Sequence, residues 1–151
     1  MFNMLESLGG VTAARVVDLF AGSGALGIEA LSRGASSAVF VDHDRAAVAS
    51  VRTNLAAAGV ADRARVTHAE VMRWLGHAPA VDVVLCDPPY DWDQWDALLP
   101  GIHAILPAAG GLAVLESGKE LDLGGGWQVL TAKRYGGSVV TVARPAAKGG
   151  M

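Results

Sequence analysis

Val16-Val17-Asp18-Leu19-Phe20-Ala21-Gly22-Ser23-Gly24-Ala25-Leu26-Gly27 is the stretch that decides the fold. A short β-branched run gives way to a G-x-G-x-x-G turn. Ala25 to Arg33 then reads as a helix, with Leu26, Ala30 and Leu31 apolar and Gly34 as its stop. Strand, glycine-rich turn and helix open a βαβ unit, and in open α/β sheets such a turn lies at the carboxyl end of its strand, where ligands bind. The alternation continues outward. Ala38-Val39-Phe40-Val41 is a second strand ending at Asp42, and Asp44 suits the cap of a helix with Val48, Val51, Leu55 and Ala58 on one face before Gly59. Arg65-Val66-Thr67 predicts a third strand, followed by a helix over Val71 to Leu75. Val81 to Cys86 is nearly all apolar, as expected of a strand covered on both faces. Trp95, Leu98, Leu99, Ile102, Ile105 and Leu106 fall at helical spacing, and Gly111 to Glu116 predicts a fifth strand. Trp127 to Arg134 and Ser138 to Arg144 are strand-like with only Tyr135-Gly136-Gly137 between them, which predicts an antiparallel hairpin. The expected fold class is α/β: a doubly wound, mostly parallel sheet with that hairpin at one edge. Residues 1–146 read as a single domain, and 147–151 as a frayed C-terminal tail.

Composition narrows the function classes. The chain has 151 residues, 52% hydrophobic and 18% charged, enough to bury a sizeable core and to exclude disorder as the main state. Twelve Lys and Arg against fifteen Asp and Glu give a net charge of −3, which excludes a strongly basic nucleic-acid clamp as a whole-chain property. A local basic surface stays open: residues 123–151 hold Lys133, Arg134, Arg144 and Lys148 and no acid, although a solvated face is the plainer reading. Asp91, Asp93 and Asp96 would repel phosphates on their side. The single cysteine, Cys86, excludes an intrachain disulfide and reads as a buried, inert thiol. His43, His68, His77 and His103 show no ligand spacing, so no metal is assigned. The uncharged run Ala97 to Leu115 is broken by Pro100, Gly101, Pro107, Gly110 and Gly111, which predicts helix, turn and strand instead of a membrane span. Met1 to Gly10 carries Glu6 and no Lys or Arg, unlike a secretory signal. The expectation is a soluble, cytoplasmic protein with no membrane partner.

The acids near the glycine-rich turn suggest what it holds. A carboxylate after the second strand, Asp42, can accept both ribose hydroxyl hydrogens of an adenosine cofactor. Asp18, four residues before Gly22, separates two cofactors. A diphosphate would be repelled by a carboxylate there, whereas S-adenosylmethionine brings an ammonium and a sulfonium that an acid favours. The competing reading of Asp18 is a helix or loop cap.

Asp87-Pro88-Pro89-Tyr90 follows the fourth strand. Two prolines exclude helix and ladder pairing, leaving a stiff loop at the same edge of the sheet as the glycine-rich turn. The Asp87 carboxylate and the Pro88 carbonyl can accept the two hydrogens of an exocyclic amine, and Tyr90 offers a face on which a base stacks. Fixing those hydrogens favours a pyramidal nitrogen and aims its lone pair at the methyl carbon, so positioning supplies much of the catalysis. A proline-stiffened turn capped by an aspartate is the bland alternative. Trp92, Trp95 and Trp127 read as core or partly buried packing, with Trp92 able to flank the base pocket.

The run Val16 to Ala35, together with Asp87-Pro88-Pro89-Tyr90 and Arg134-Tyr135-Gly136, resembles the RsmD family, bacterial methyltransferases that modify guanine N2 in 16S ribosomal RNA. The resemblance covers nearly the whole chain. It implies the class I (Rossmann-like) methyltransferase fold, a seven-stranded sheet of order 3-2-1-4-5-7-6 with S-adenosylmethionine as cofactor. It further implies cofactor contacts at Asp18, Ala21, Gly22 and Gly24, ribose binding at Asp42, His43 beside the adenine, and Glu70 and Val71 at the adenine edge. Asp87, Pro88, Pro89 and Tyr90 match the target-amine site. The implied partner is ribosomal RNA, within the small subunit or its assembly intermediate. Two departures stand out. The family usually has Glu where this chain has Asp42. Phe2-Asn3-Met4-Leu5 resembles the end of a helix that in the family follows a basic hairpin and an Arg-Pro-Thr segment, associated with RNA contact and cofactor cover, and the sequence begins after them. Rival expectations are adenine-N6 methylation of DNA or RNA, an NAD-dependent oxidoreductase supported by the G-x-G-x-x-G alone, and an inactive cofactor-binding module.

Overall fold

The computed structural model describes residues 1–147, so the tail expected at 147–151 lies outside the described residues except for Ala147. The elements run α1 (Phe2–Ser7), β1 (Arg15–Leu19), α2 (Ala25–Ser32), β2 (Ser37–Asp42), α3 (Arg45–Ala58), β3 (Ala64–His68), α4 (Val71–Leu75), β4 (Val83–Cys86), α5 (Trp95–Ile105), β5 (Leu112–Ser117), β6 (Trp127–Tyr135) and β7 (Ser138–Pro145). A 3-10 turn at Ala61–Arg63 precedes β3.

Two of the helices start on side-chain caps. The Asp44 side chain accepts the Ala46 N–H and starts α3, and Gly59, at φ +73°, ends it in the left-handed conformation. The Glu70 carboxylate accepts the N–H groups of Met72 and Arg73 at 3.0 and 2.8 Å and starts α4. Pro100 and Gly101, expected to interrupt the apolar run, lie inside α5.

Seven strands form one sheet of order β3-β2-β1-β4-β5-β7-β6. The first five run parallel; β7 pairs antiparallel with β5 and with β6, so the tail hairpin closes one edge. Successive residues of a strand face opposite sides, and each side is covered. Val16, Phe40, Leu85 and Val114 join Leu5, Leu31, Val51 and Leu55 from α1, α2 and α3. Val17, Leu19, Val41, Val84 and Leu115 join Trp74, Trp95, Leu98 and Ile102 from α4 and α5. Strand order reverses between β1 and β4. The loops leaving their carboxyl ends therefore diverge and open a crevice. Leu19 pairs with Cys86, so the glycine-rich turn and the Asp87–Tyr90 loop begin side by side. Among the described residues no helix is long and apolar enough to cross a membrane.

Candidate active site

The turn after β1 is held from several directions. Ala21 donates its N–H to Val41 C=O at 3.1 Å and accepts the Gly24 N–H at 2.8 Å. Asn54, on α3, donates its side-chain amide to Ser23 C=O at 2.9 Å. Gly22 stands at φ +58°, and a Cβ added there would meet no atom within 4 Å, so its backbone faces open space. Gly27 does a different job: a Cβ there would sit 2.4 Å from Cε2 of buried Phe40, which makes it the close contact between helix and sheet. Phe20, at φ +60°, is a non-glycine residue in the left-handed region, and such strain is concentrated at functional sites.

Three acids converge on this turn. Asp18 is buried, and its Oδ2 accepts the Gly27 N–H at 3.0 Å. Burial pushes its carboxyl up to about 8; the Gly27 hydrogen bond pulls the other way, and the negative fields of Asp87 and Asp42 add to the rise. Asp18 therefore has the capping geometry toward α2 while sharing a field with the other two acids. Asp42 accepts the Gly22 N–H on Oδ2 and the Asp44 N–H on Oδ1, both at 2.9 Å. Its side chain is 12% exposed, and each oxygen has capacity to accept a further hydrogen bond. His43, 72% exposed, places Nδ1 3.8 Å from Asp42 Oδ1, and its carbonyl is bonded to His68 Nε2 at 2.9 Å. Glu70 and Val71 stand at the next strand out, tied in through the Ala69 N–H to Asp42 C=O at 3.0 Å. The Glu70 carboxylate is engaged with the first turn of α4, and the Val71 side chain is buried.

The loop after β4 completes the crevice. Pro89 C=O accepts the Trp92 N–H at 2.9 Å and closes a turn, while the Pro88 carbonyl accepts no hydrogen bond among the described residues. Pro88 is buried, and Tyr90 is 76% exposed. Asp87 lies beside Glu116 of β5. Partial burial and then the charge and hydrogen bond of Glu116 raise the Asp87 carboxyl to about 6. Asp87, Pro88 and Tyr90 line a cavity of about 100 Å³ with Glu116, Ser117 and Gly118 at the end of β5 and Ser138 from β7. A larger cavity, about 470 Å³, lies between α5 and residues 122–127 and brings none of the predicted site residues together.

Trp92 meets Phe20 edge-on, ring centroids 4.9 Å apart, and so joins this loop to the glycine-rich turn; its buried indole N–H has no partner among the described residues. Burial pushes the Cys86 thiol, at the end of β4, well up, and Asp18 and Asp87 push it further. Among the described residues no group of three or more His, Cys, Asp or Glu side chains could hold a metal ion.

These residues fit a cationic adenosyl donor. Asp42 and Asp87 set negative charge at the two loops, the buried Asp18 lies in the field of both, and the backbone at Gly22 leaves room for close approach. A diphosphate would meet only repulsion from the same acids. Glu116 was not singled out from the sequence. The available signal was an acid at the carboxyl end of an otherwise apolar strand, the same pattern that marks Asp42.

Comparison with known proteins places the chain in a family. The family model described as Conserved hypothetical protein 95 matches residues 1–144. The Bacillus subtilis protein YlbH, provisionally named an rRNA methyltransferase, is 36% identical over 128 residues, 82% of this chain and 68% of that one. Ribosomal RNA small subunit methyltransferase D of Escherichia coli K12 is 40% identical over 91 residues, 60% of this chain and 44% of its own length, so the match spans less than half of that relative. Among solved structures, the Escherichia coli protein yhhF, provisionally titled a methyltransferase, superposes with a TM-score of 0.85 at 30% identity, covering 97% of this chain and 82% of that one.

Proposed function

The chain belongs to the RsmD family, and on that footing we propose that it is an S-adenosylmethionine-dependent methyltransferase whose acceptor is the exocyclic N2 amine of a guanine in small-subunit (16S) ribosomal RNA. Residues 1–146 act as one catalytic domain, working in the cytoplasm on the small subunit or its assembly intermediate. The observation that carries this reading is the adjacency of two loops. The glycine-rich turn and the Asp87–Tyr90 loop leave paired positions, Leu19 and Cys86, of neighbouring parallel strands. A donor on the first and an amine on the second therefore lie within one crevice.

When bound, S-adenosylmethionine supplies an electrophilic methyl carbon on a sulfonium centre. Asp42 holds the ribose hydroxyls, Gly22 lets the backbone approach, Gly24 lets the turn pack against Val51 and Phe40 beside the cofactor, and Ala21 keeps the turn in register with β2. Asp18 contributes negative charge beneath the donor; a cation above it favours its ionised form. His43 borders the adenine, and Glu70 and Val71 meet its edge. On the acceptor side, the Asp87 carboxylate and the free Pro88 carbonyl take the two N2 hydrogens, Pro89 stiffens the loop, and Tyr90 stacks on the base. Asp87 then takes the proton released from the methylated nitrogen and passes it to water. Naming of relatives as methyltransferases favours this chemistry over hydride transfer.

The test is transfer of radiolabelled methyl to small ribosomal subunits lacking the modification, with naked ribosomal RNA as comparison and mass spectrometry of the nucleosides. N2-methylguanosine is the expected product. N6-methyladenosine would move the acceptor to adenine, and retention of S-adenosylmethionine without turnover would leave a binding module.

A further inference from the structure

The β4–β5 ladder pairs Cys86 with Leu115, so the next residues, Asp87 and Glu116, leave adjacent parallel strands side by side. Both line the small cavity with Pro88, Tyr90 and Gly118. Among the described residues no Lys or Arg lines it. Two carboxyl groups side by side share a proton or repel each other, and a ligand offering contiguous N–H groups satisfies both acceptors at once.

The geometry of the pair selects among bases. Beside its exocyclic amine, guanine carries N1–H, so its edge presents three N–H bonds on two neighbouring atoms. Beside N6, adenine carries a lone pair at N1, and beside N4, cytosine carries one at N3. Either lone pair would be set against a carboxylate. Stacking fixes which edge reaches the acids. The Tyr90 ring lies against Gly118, where an added Cβ would sit 3.0 Å from its Cε2, so Gly118 seats the ring beside Glu116.

Resting on the guanine-N2 reading above, which it deepens, we propose that Glu116 determines base specificity: its carboxylate accepts the guanine N1–H while Asp87 and the Pro88 carbonyl hold the adjacent N2 amine. The bond changes stay at N2. A nitrogen–carbon bond forms as the donor's sulfur–carbon bond breaks, sulfur keeps that electron pair, and one N2 proton passes to Asp87 and then to water. Glu116 keeps its hydrogen bond throughout and takes part in no bond change.

The test uses small subunits assembled with guanine or with 2-aminopurine at the methylated position. 2-Aminopurine keeps the N2 amine and lacks N1–H. The parent chain should prefer guanine by about 10- to 100-fold in kcat/KM, the size of one lost hydrogen bond that leaves a charged partner unpaired. In Glu116→Gln that preference should shrink by about tenfold, because Gln can turn an N–H toward the lone pair at N1. Cofactor affinity, measured by calorimetry, should stay within about twofold of the parent by the same separation of sites. The missing O6 of 2-aminopurine affects parent and variant alike, so the change in the ratio reports on Glu116. Glu116→Ala should shrink the ratio too and carries the test if the Gln variant does not fold. An equal preference in parent and folded variant overturns the role of Glu116. Failure of the parent to methylate guanine-bearing subunits, with S-adenosylmethionine bound, overturns the underlying reading instead.

Discussion

Asp42 Oδ2 accepts the Gly22 N–H at 2.9 Å, so the acid that ends β2 also holds the turn that follows β1. Its other oxygen accepts the Asp44 N–H, one residue ahead of α3. A single carboxylate thus fixes the turn and the approach to α3, and in the proposed function it also faces the ribose.

Replacing Asp42 by Ala removes both anchors and the ribose acceptor. Calorimetry should show S-adenosylmethionine affinity reduced by about 10- to 100-fold, the scale of losing a charge-assisted pair of hydrogen bonds. Asp42→Asn keeps one acceptor oxygen and should fall between parent and Ala variant. Equal affinity in all three would remove Asp42 from the donor site.

Asp87 bears on turnover instead. Asp87→Ala should abolish methyl transfer while cofactor affinity changes by less than about threefold, since the donor-side hydrogen bonds do not involve it. The parent carboxyl titrates at about 6 and accepts amine hydrogens when ionised. The kcat/KM profile should therefore rise with pH through an inflection near 6. Glu116 is part of what raises that value, so the inflection should move to lower pH in Glu116→Gln. A profile unchanged by that substitution would separate the two acids.

Asp18 gives the opposite sign in stability. Its folded value is about 8 against an ordinary 3.8, so the fold favours the neutral acid. That contribution is complete below about 3.8 and is lost as pH rises to about 8. Asp18→Asn cannot ionise and retains an oxygen for the Gly27 N–H. Thermal melts should place the variant level with the parent near pH 4, and above it at pH 8.5 by at least about 1 kcal/mol, or about 2–4 °C for a chain of this size. Its affinity for the cationic donor should nonetheless fall. A melting gap independent of pH would contradict the buried-acid account.

Two glycines of one motif should fail differently. Gly27→Ala drives a methyl into the Phe40 ring and should cost about 1–3 kcal/mol or more, seen as a lower melting temperature. Gly22→Ala meets open space but must hold φ +58°, a strain of about 1–2 kcal/mol, and its methyl occupies the face left for the donor. Its loss should therefore be larger in donor affinity than in stability. Similar profiles for both variants would argue against separate roles.

Much of this was legible in the sequence. Periodicity and punctuation located all seven strands, because most of the runs end close to a glycine, an acid or a proline, while the third, Arg65-Val66-Thr67, is marked by its β-branched residues. Asp44 and Gly59 marked the ends of α3 through local chemistry alone. The expected fourth strand, Val81 to Cys86, is two residues shorter than drawn. Val81 bonds to Ile105 C=O, and Asp82 turns its side chain to Arg15 before β4 begins. What was not legible depends on distant register. Asp87 and Glu116 are far apart in the chain and meet only because β4 and β5 align. The contact of Phe20 with Trp92 likewise requires the β1–β4 pairing. Burial of Asp18 is a property of packing that no spacing rule states.

The division of labour across the central ladder has a consequence for retargeting. The glycine-rich turn and Asp42 grow from β1 and β2, and the Asp87–Tyr90 loop and Glu116 from β4 and β5, with four residue pairs and the Phe20–Trp92 contact between them; in the proposed function the first half holds the donor and the second the acceptor. A chassis of this kind can be given a new nucleobase or another planar amine by rewriting residues 87–90 and 116–118, while the half that grips the methyl source is inherited unchanged.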